Sequence, residues 1–352
     1  MRKFFKVGTW ALVLSLCLLL LTGNLIWAQK KNIVIGYGAP ELYGGQLDIQ
    51  MSLVKYASSF GWTVITANAN GDADKQMKQI EDFITQKVNA IVVVPVDSAA
   101  IVPAIKKAQA AGIPFYTIDR APIGYPADMT VMADNYMAGK QAGEAMVKLL
   151  TQKYGTPKGV VLELQGDLGT NVAILRGGGF DDVIKKYPEI KLIQKPTDWQ
   201  SEKFASITRD VVNTQKIDGI YLHSDNIGIP AILPVLQQLG KLKKRGDPEH
   251  IFITGVDGGP FALKAIRDGW ADAFASQPIT DFGIIVYWIR DKIEGKPMRM
   301  RFVKKDAIWS PAVVSKDSAT GGLVCLLPTT LVTPENVDDP RLYGNQVRML
   351  YQ

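Results

Sequence analysis

Residues 74–120 read DKQMKQIEDFITQKVNAIVVVPVDSAAIVPAIKKAQAAGIPFYTIDR, and their periodicity sets the fold class. Met77, Ile80, Ile84 and Val88 recur at steps of three and four with Lys75, Lys78 and Glu81 between them, the stripe of an amphipathic helix laid on a sheet. Asp72 is placed to cap that helix, and Ser98 to cap the next one. Ala90–Val94 and Phe115–Ile118 are β-branched or aromatic runs of strand length. With Ile33–Tyr37 and Thr63–Ala67 upstream, strands alternate with helix-length segments, the rhythm of βαβ units and a parallel sheet.

The alternation restarts beyond residue 134. Strands are expected at Gly159–Leu164, Lys191–Gln194, Ile217–Leu222 and Ile251–Val256, with helices around 136–151, 171–186, 201–214 and 229–239. A strand at Ala271–Ala275 and a helix at Asp281–Glu294 follow, then a tail punctuated by Pro311, Pro328, Pro334 and Pro340. This second α/β lobe repeats the architecture of the first without a comparable sequence repeat. Gly177-Gly178-Gly179 falls inside a predicted helix, which reads as close packing rather than a phosphate loop.

Arg2, Lys3 and Lys6 precede an apolar run from Trp10 to Leu21, the charged and hydrophobic regions of a secretory signal, and cleavage is expected near Ala28. An uncleaved anchor is the alternative; either way the globular part faces outward, in the periplasm or its extracytoplasmic equivalent. Leu16 before Cys17 is too large for a lipoprotein motif. Removing residues 1–28 leaves 324 of the 352 residues, more than one hydrophobic core usually supports, so two lobes are expected. The formal charge of +6 falls to +3 without the three leader cations, and the remaining basic residues are scattered, unlike the concentrated footprint of a nucleic-acid binder. Cys325 is the one cysteine besides Cys17, so no intramolecular disulfide is expected in the mature chain.

Ligands of an open parallel sheet bind beyond the carboxyl ends of its strands. There Phe115–Ile118 runs into Asp119 and Arg120, an acceptor beside a fork of donors. Sugar hydroxyls donate and accept at once, so the pair suits them; an exposed loop ion pair is the other reading. Asp257 precedes Gly258-Gly259 and serves either as a ligand carboxylate or as a cap for the helix at Pro260. Asp225, after Ser224, is a third strand-end candidate. With His223 and His250 the only histidines, and no Walker loop, G-x-S-x-G elbow or cysteine pair, no catalytic residue, metal or cofactor is implied.

Asp74–Gln79 with Glu81-Asp82, Ile91–Ser98, Ala108–Arg120, Leu164–Phe180 with Gln165-Gly166 and Gly169-Thr170, and Gly255–Asp268 together resemble the periplasmic ribose and galactose type of sugar-binding protein. That family is homologous to the sensing core of lactose-repressor regulators, and the resemblance covers roughly residues 33–295. It implies two doubly wound parallel-sheet lobes joined by a three-segment hinge. Residues 29–133 with 277–307 are then the N-terminal lobe, 134–276 with 308–325 the C-terminal lobe, and 326–352 a C-terminal extension. It also implies a monomer that takes a sugar or polyol into its cleft and presents it to the permease of an ABC-type importer, a chemoreceptor being the alternative partner. Residue by residue, it implies that Asp119 and Arg120 bind ligand from the first lobe and Asp257 from the second. Trp199 would lie against the ligand's C–H face, a plain core tryptophan being the alternative.

Departures from the family pattern fall at ligand positions. Tyr43-Gly44-Gly45-Gln46 replaces paired aromatics, leaving Tyr43 and Gln46 as candidates. The family's ligand arginine aligns with Ile174; Arg176 stands about 200° further round the helix and is not expected to substitute for it. Asn171 either approaches the cleft or caps its helix. The family's asparagine and glutamine align with Ser224 and Ser276, and Gln277 would point the other way if the strand continues. A ligand outline other than ribose is implied. A DNA-reading module is not expected, because the leader occupies its place. The remaining rivals are a signalling protein of the same fold and a carbohydrate-acting enzyme using Asp119, Asp225 and Asp257 as paired carboxylates.

Overall fold

The computed structural model describes residues 32–317 and 320–352, so the expected secretory leader lies outside the described residues. The first lobe begins with β1 (Val34–Ala39), α1 (Gln46–Ser59), β2 (Thr63–Asn68), α2 (Ala73–Thr85), β3 (Ala90–Val93), α3 (Val102–Ala110), β4 (Phe115–Ile118) and β5 (Met129–Ala133). The second lobe follows as α4 (Asn135–Tyr154), β6 (Gly159–Gln165), α5 (Asn171–Ile184), β7 (Ile190–Pro196), α6 (Ser201–Thr214), β8 (Gly219–Leu222), α7 (Asp225–Gln238), β9 (Phe252–Asp257), α8 (Pro260–Asp268) and β10 (Ala273–Ser276). The chain returns to the first lobe through a 3-10 segment (Ile279–Ile285), α9 (Val286–Ile293), β11 (Arg301–Phe302), β12 (Ala312–Lys316) and β13 (Leu323–Leu327). It ends on the second with β14 (Thr330–Val332) and the short α10 (Tyr343–Gln346).

The first sheet runs β11-β12-β13-β5-β4-β3-β1-β2 and the second β14-β10-β9-β8-β6-β7. The order reverses between β1 and β3 in one and between β6 and β8 in the other, which sets up a switch point in each lobe. In the second sheet Val161, Tyr221, Val256 and Ala275 pack with α4 and α5, while Leu162, Leu164, Ile220, Leu222 and Ile253 pack with α6, α7 and α8. Both faces are thus covered, which is why these strands read as continuous apolar runs. Ile91, Val93 and Phe115 pack likewise with Phe83 of α2 and Ile105 of α3.

Asp72 caps α2, accepting from the Lys75 N–H at 2.9 Å. Ser98 is not a cap: its hydroxyl accepts from the Asn171 N–H of the other lobe at 3.0 Å, and Asp97 instead receives the N–H groups of Ala99 and Ala100. Of the glycine run of α5 only Gly179 is close packed, since a Cβ there would lie 2.0 Å from the Tyr136 carbonyl oxygen of α4, whereas a Cβ at Gly178 would meet nothing within 4 Å. The helix expected over Asp281–Glu294 opens as a 3-10 segment, because Ser52 inserts its hydroxyl there. That hydroxyl donates to the Thr280 carbonyl at 2.8 Å and accepts from the Gly283 N–H at 2.9 Å.

The placement of residues 308–325 in the second lobe is overturned. β13 pairs parallel with β5 and β12 antiparallel with β13, so this segment completes the first sheet. An uncovered β5 would leave an apolar edge unpaired, and the run Leu323–Leu327 closes it. The expected extension is also divided, its first residues finishing β13 and β14 adding to β10 of the second sheet. The chain therefore crosses between lobes three times, around Asp134, Gln277-Pro278 and Pro328-Thr329.

Candidate functional site

Loops at the strand ends build a cavity between the lobes. The turn after β1 supplies Glu41, Tyr43 and Gly45 and leads into Gln46 at the start of α1, while β4 ends directly in Asp119 and Arg120. From the second lobe come Arg176 on α5, Trp199 after β7, Ser224 after β8, Asp257 at the end of β9 and Gln277 after β10. With Ile49, Val172, Ile227 and Ile279 these residues line a cavity of about 430 Å³ that is partly open to solvent. Three of them, Asp119, Trp199 and Asp257, hold φ values of 65°, 60° and 114°, backbone strain of the kind that gathers where a side chain must be aimed.

Charged forks dominate the walls. Gln46 Nε2 donates to Asp119 Oδ2 at 3.0 Å. Arg120 donates to the Pro95 carbonyl at 2.9 Å and reaches Glu41 Oε1 at 3.5 Å, with its Nε 3.9 Å from Asp119 Oδ2. Arg176 donates through Nε to Asn135 Oδ1 at 2.8 Å and through a terminal nitrogen to the His223 carbonyl, and stands 3.1 Å from Asp257 Oδ1. Asp257 Oδ2 accepts from the Ser224 hydroxyl at 2.6 Å and from Asn226 Nδ2 at 3.3 Å. Burial pushes the Asp257 carboxyl up and Arg176 pulls it back; burial pushes Glu41 up against the pull of Arg120. The Trp199 ring lies 5.9 Å from the guanidinium carbon of each arginine. A Cβ at Gly166 would sit 2.0 Å from that ring, so only glycine gives it a floor.

The lobes are in contact across the cleft. Tyr43 donates its hydroxyl to the Trp199 carbonyl at 3.2 Å, the Ser98 N–H to the Gly169 carbonyl at 3.1 Å, and the Ala121 N–H to Asn171 Oδ1 at 3.0 Å.

Eight residues singled out in the sequence, Tyr43, Gln46, Asp119, Arg120, Trp199, Ser224, Asp257 and Gln277, line this cavity. Two others lie elsewhere. Asp225 is fully buried and accepts from the N–H groups of Gly258 at 2.6 Å and Gly259 at 3.0 Å, so its carboxylate fixes the turn behind Asp257 instead of facing ligand. Burial and the neighbouring Asp257 charge push its carboxyl well up. Asn171 neither faces the cavity nor caps α5; its side-chain oxygen serves the interlobe bond to Ala121. Gln277 turns inward because β10 ends at Ser276, where strand alternation ceases.

Arg176 overturns the expectation that a guanidinium is missing. Ile174, at the position matched to the family arginine, is 49% exposed, whereas Arg176 shares the inward face of α5 with Val172 four residues before it. Glu41 was also overlooked, although a carboxylate just beyond β1 carries the same strand-end signal as Asp119. His223 lies outside the cavity, buried with its Nε2 2.7 Å from Glu163 Oε1.

Four buried polar atoms on the cavity-lining residues find no partner among the described residues: Gln46 Oε1, Arg120 Nε, Trp199 Nε1 and Gln277 Oε1. An orphaned buried donor or acceptor costs about 1–3 kcal/mol, so a concentration of them marks where a polar ligand is received. Among the described residues no group of three or more His, Cys, Asp or Glu is placed to hold a metal ion.

A model of the periplasmic binding protein domain matches residues 46–297. The chain belongs to the periplasmic binding protein family. It is 34% identical to the galactofuranose-binding protein of Escherichia coli over 227 residues, 62% of this chain and 68% of that protein. It is 31% identical to the xylitol-binding protein of Mycolicibacterium smegmatis over 217 residues, 61% of this chain but only 58% of the relative's length. A crystal structure of a galactofuranose binding protein superposes with a TM-score of 0.75 at 24% identity, covering 91% of this chain and all of that one, which establishes the fold of two parallel-sheet α/β lobes. Members of this family are binding proteins rather than enzymes, and the doubly wound sheets on which the cavity is built are theirs.

Proposed function

We propose that this protein captures a neutral sugar or polyol between its lobes and delivers it, unreacted, to the permease of an ABC-type importer. The four unpartnered polar atoms carry the reading: two donors and two acceptors, interleaved with Glu41, Asp119 and Asp257, match hydroxyl groups that donate and accept together. Each cavity guanidinium already faces a carboxylate, which leaves no spare cation for a phosphate or carboxylate ligand. The ligands for which the relatives are named, galactofuranose and xylitol, are of this neutral polyhydroxyl class. Asp119 and Arg120 grip from the first lobe and Arg176, Trp199, Ser224, Asp257 and Gln277 from the second, so ligand stabilises the closed arrangement by touching both. The basic and apolar leader ending near Ala28 directs the chain outward, where it works as a monomer.

A thermal-shift screen of pentoses, hexoses, deoxysugars and polyols tests this. A ligand at 100 times its Kd adds about 2.7 kcal/mol of stability and raises Tm by several degrees. The bound compound is expected back unchanged after prolonged incubation. A flat screen would remove the carbohydrate reading, and turnover lost in Asp257→Asn would make the protein an enzyme.

A further inference from the structure

The C-terminal segment does more than finish a sheet. Beyond β14 it is held to the second lobe by Arg267 of α8, which donates to Asp338 Oδ1 at 2.7 Å, the Val337 carbonyl at 3.0 Å and Asn345 Oδ1 at 2.8 Å. At residue 344 the backbone backs onto the 258–259 turn, where a Cβ would lie 2.7 Å from the Gly258 carbonyl oxygen. That turn follows Asp257 directly. From this anchorage the buried Tyr343 sends its hydroxyl across to the first lobe, donating to Asp48 Oδ2 of α1 at 2.5 Å. The remaining oxygen of Asp48 accepts from the Tyr351 hydroxyl at 2.5 Å, and Lys55 of the same helix donates to the Met349 carbonyl. Asp48 lies two residues beyond Gln46, whose side chain holds Asp119 in the cavity. Neither Asp48, Tyr343 nor Tyr351 lines that cavity.

We infer that Tyr343 and Asp48 form a latch that holds the lobes together without touching the ligand, and so position the binding site through the closure equilibrium. Opening the cleft draws the start of α1 away from the 258–259 turn, so it must either break the Tyr343–Asp48 bond or peel residues 343–346 from α8. A hydrogen bond to a buried carboxylate biases closure by roughly tenfold or more. A protein whose closed state is populated less binds more weakly in proportion. The inference rests on the capture reading for its meaning, but its test needs no ligand.

Small-angle X-ray scattering of the ligand-free mature chain compares wild type with Tyr343→Phe and Tyr351→Phe. Both substitutions keep the ring and its packing. Tyr343→Phe is expected to expand the scattering profile towards an open form, whereas Tyr351→Phe, which removes only the tail's grip on α1, leaves it near wild type. For whichever carbohydrate the screen identifies, Tyr343→Phe is then expected to dissociate about ten times faster, because release requires the cleft to open. Superimposable ligand-free profiles for wild type and Tyr343→Phe would overturn the latch while leaving the carbohydrate reading intact; equal expansion in both variants would assign the effect to tail packing and overturn it too.

Discussion

Arg176→Lys probes the recognition chemistry most directly. Arg176 makes three contacts, to Asn135 Oδ1, the His223 carbonyl and Asp257 Oδ1. Asn135 Oδ1 also accepts from Gln277 Nε2 at 2.8 Å, so one guanidinium organises a second cavity side chain through a shared oxygen. A lysine retains the charge that Asp257 needs but offers a single nitrogen, which cannot span the three acceptors. At least one charge-assisted hydrogen bond is lost, worth about 1.5–3 kcal/mol, or roughly a ten- to hundredfold rise in Kd. Truncation to Met is a poorer probe, because stranding the buried Asp257 charge costs about 3–5 kcal/mol and threatens the fold. Isothermal titration calorimetry with the carbohydrate giving the largest thermal shift measures the change, and unfolding without ligand reports any general damage. A Kd within threefold of wild type, at unchanged Tm, would refute the role given to this arginine.

Asp225→Asn separates fold from recognition: losing the carboxylate that receives the Gly258 and Gly259 N–H groups is expected to lower Tm by a few degrees, with Kd raised at most a fewfold by calorimetry. The two histidines pull the pH profile in opposite directions. Burial opposes protonation of His250, but Asp272, at 3.1 Å, and the Lys243 carbonyl, at 2.7 Å, overcome it, so its pKa is raised on folding. Its contribution is full below about pH 6.5 and lost as pH rises through the folded value. His250→Asn should therefore lower Tm more at pH 6 than at pH 8, and equal losses would contradict this. Burial lowers the pKa of His223 despite Glu163, so its contribution is full above about pH 6.5 and lost as pH falls; His223→Gln should flatten the acid side of the Tm profile.

The sequence exposed what is local and periodic. Strands buried on both faces announce themselves as apolar runs, and a carboxylate placed just past such a run, as Asp119 and Asp257 are, is carried to the cleft by the strand's direction alone. The same rule misassigns Asp225, because a carboxylate at a strand end serves equally to collect the N–H groups of a neighbouring turn, and only the turn's position decides. Arg176 was hidden by helix phase: one aligned position faces solvent and another, two residues on, faces the cavity. β12 and β13 were illegible for a different reason. Ala312 and Val314 point inward between exposed Val313 and Ser315, an ordinary alternating pattern, and β5, the partner of β13, lies nearly two hundred residues earlier in the chain.

That long-range pairing bears on biosynthesis. β13 is inserted between β5 and β12, so until residues 323–327 have emerged, the first five strands present an unsatisfied apolar border. The lobe made first is thus among the last to be completed, and closing so wide a loop makes its folding slow. The first lobe therefore cannot close its sheet until nearly all of the chain has been synthesised.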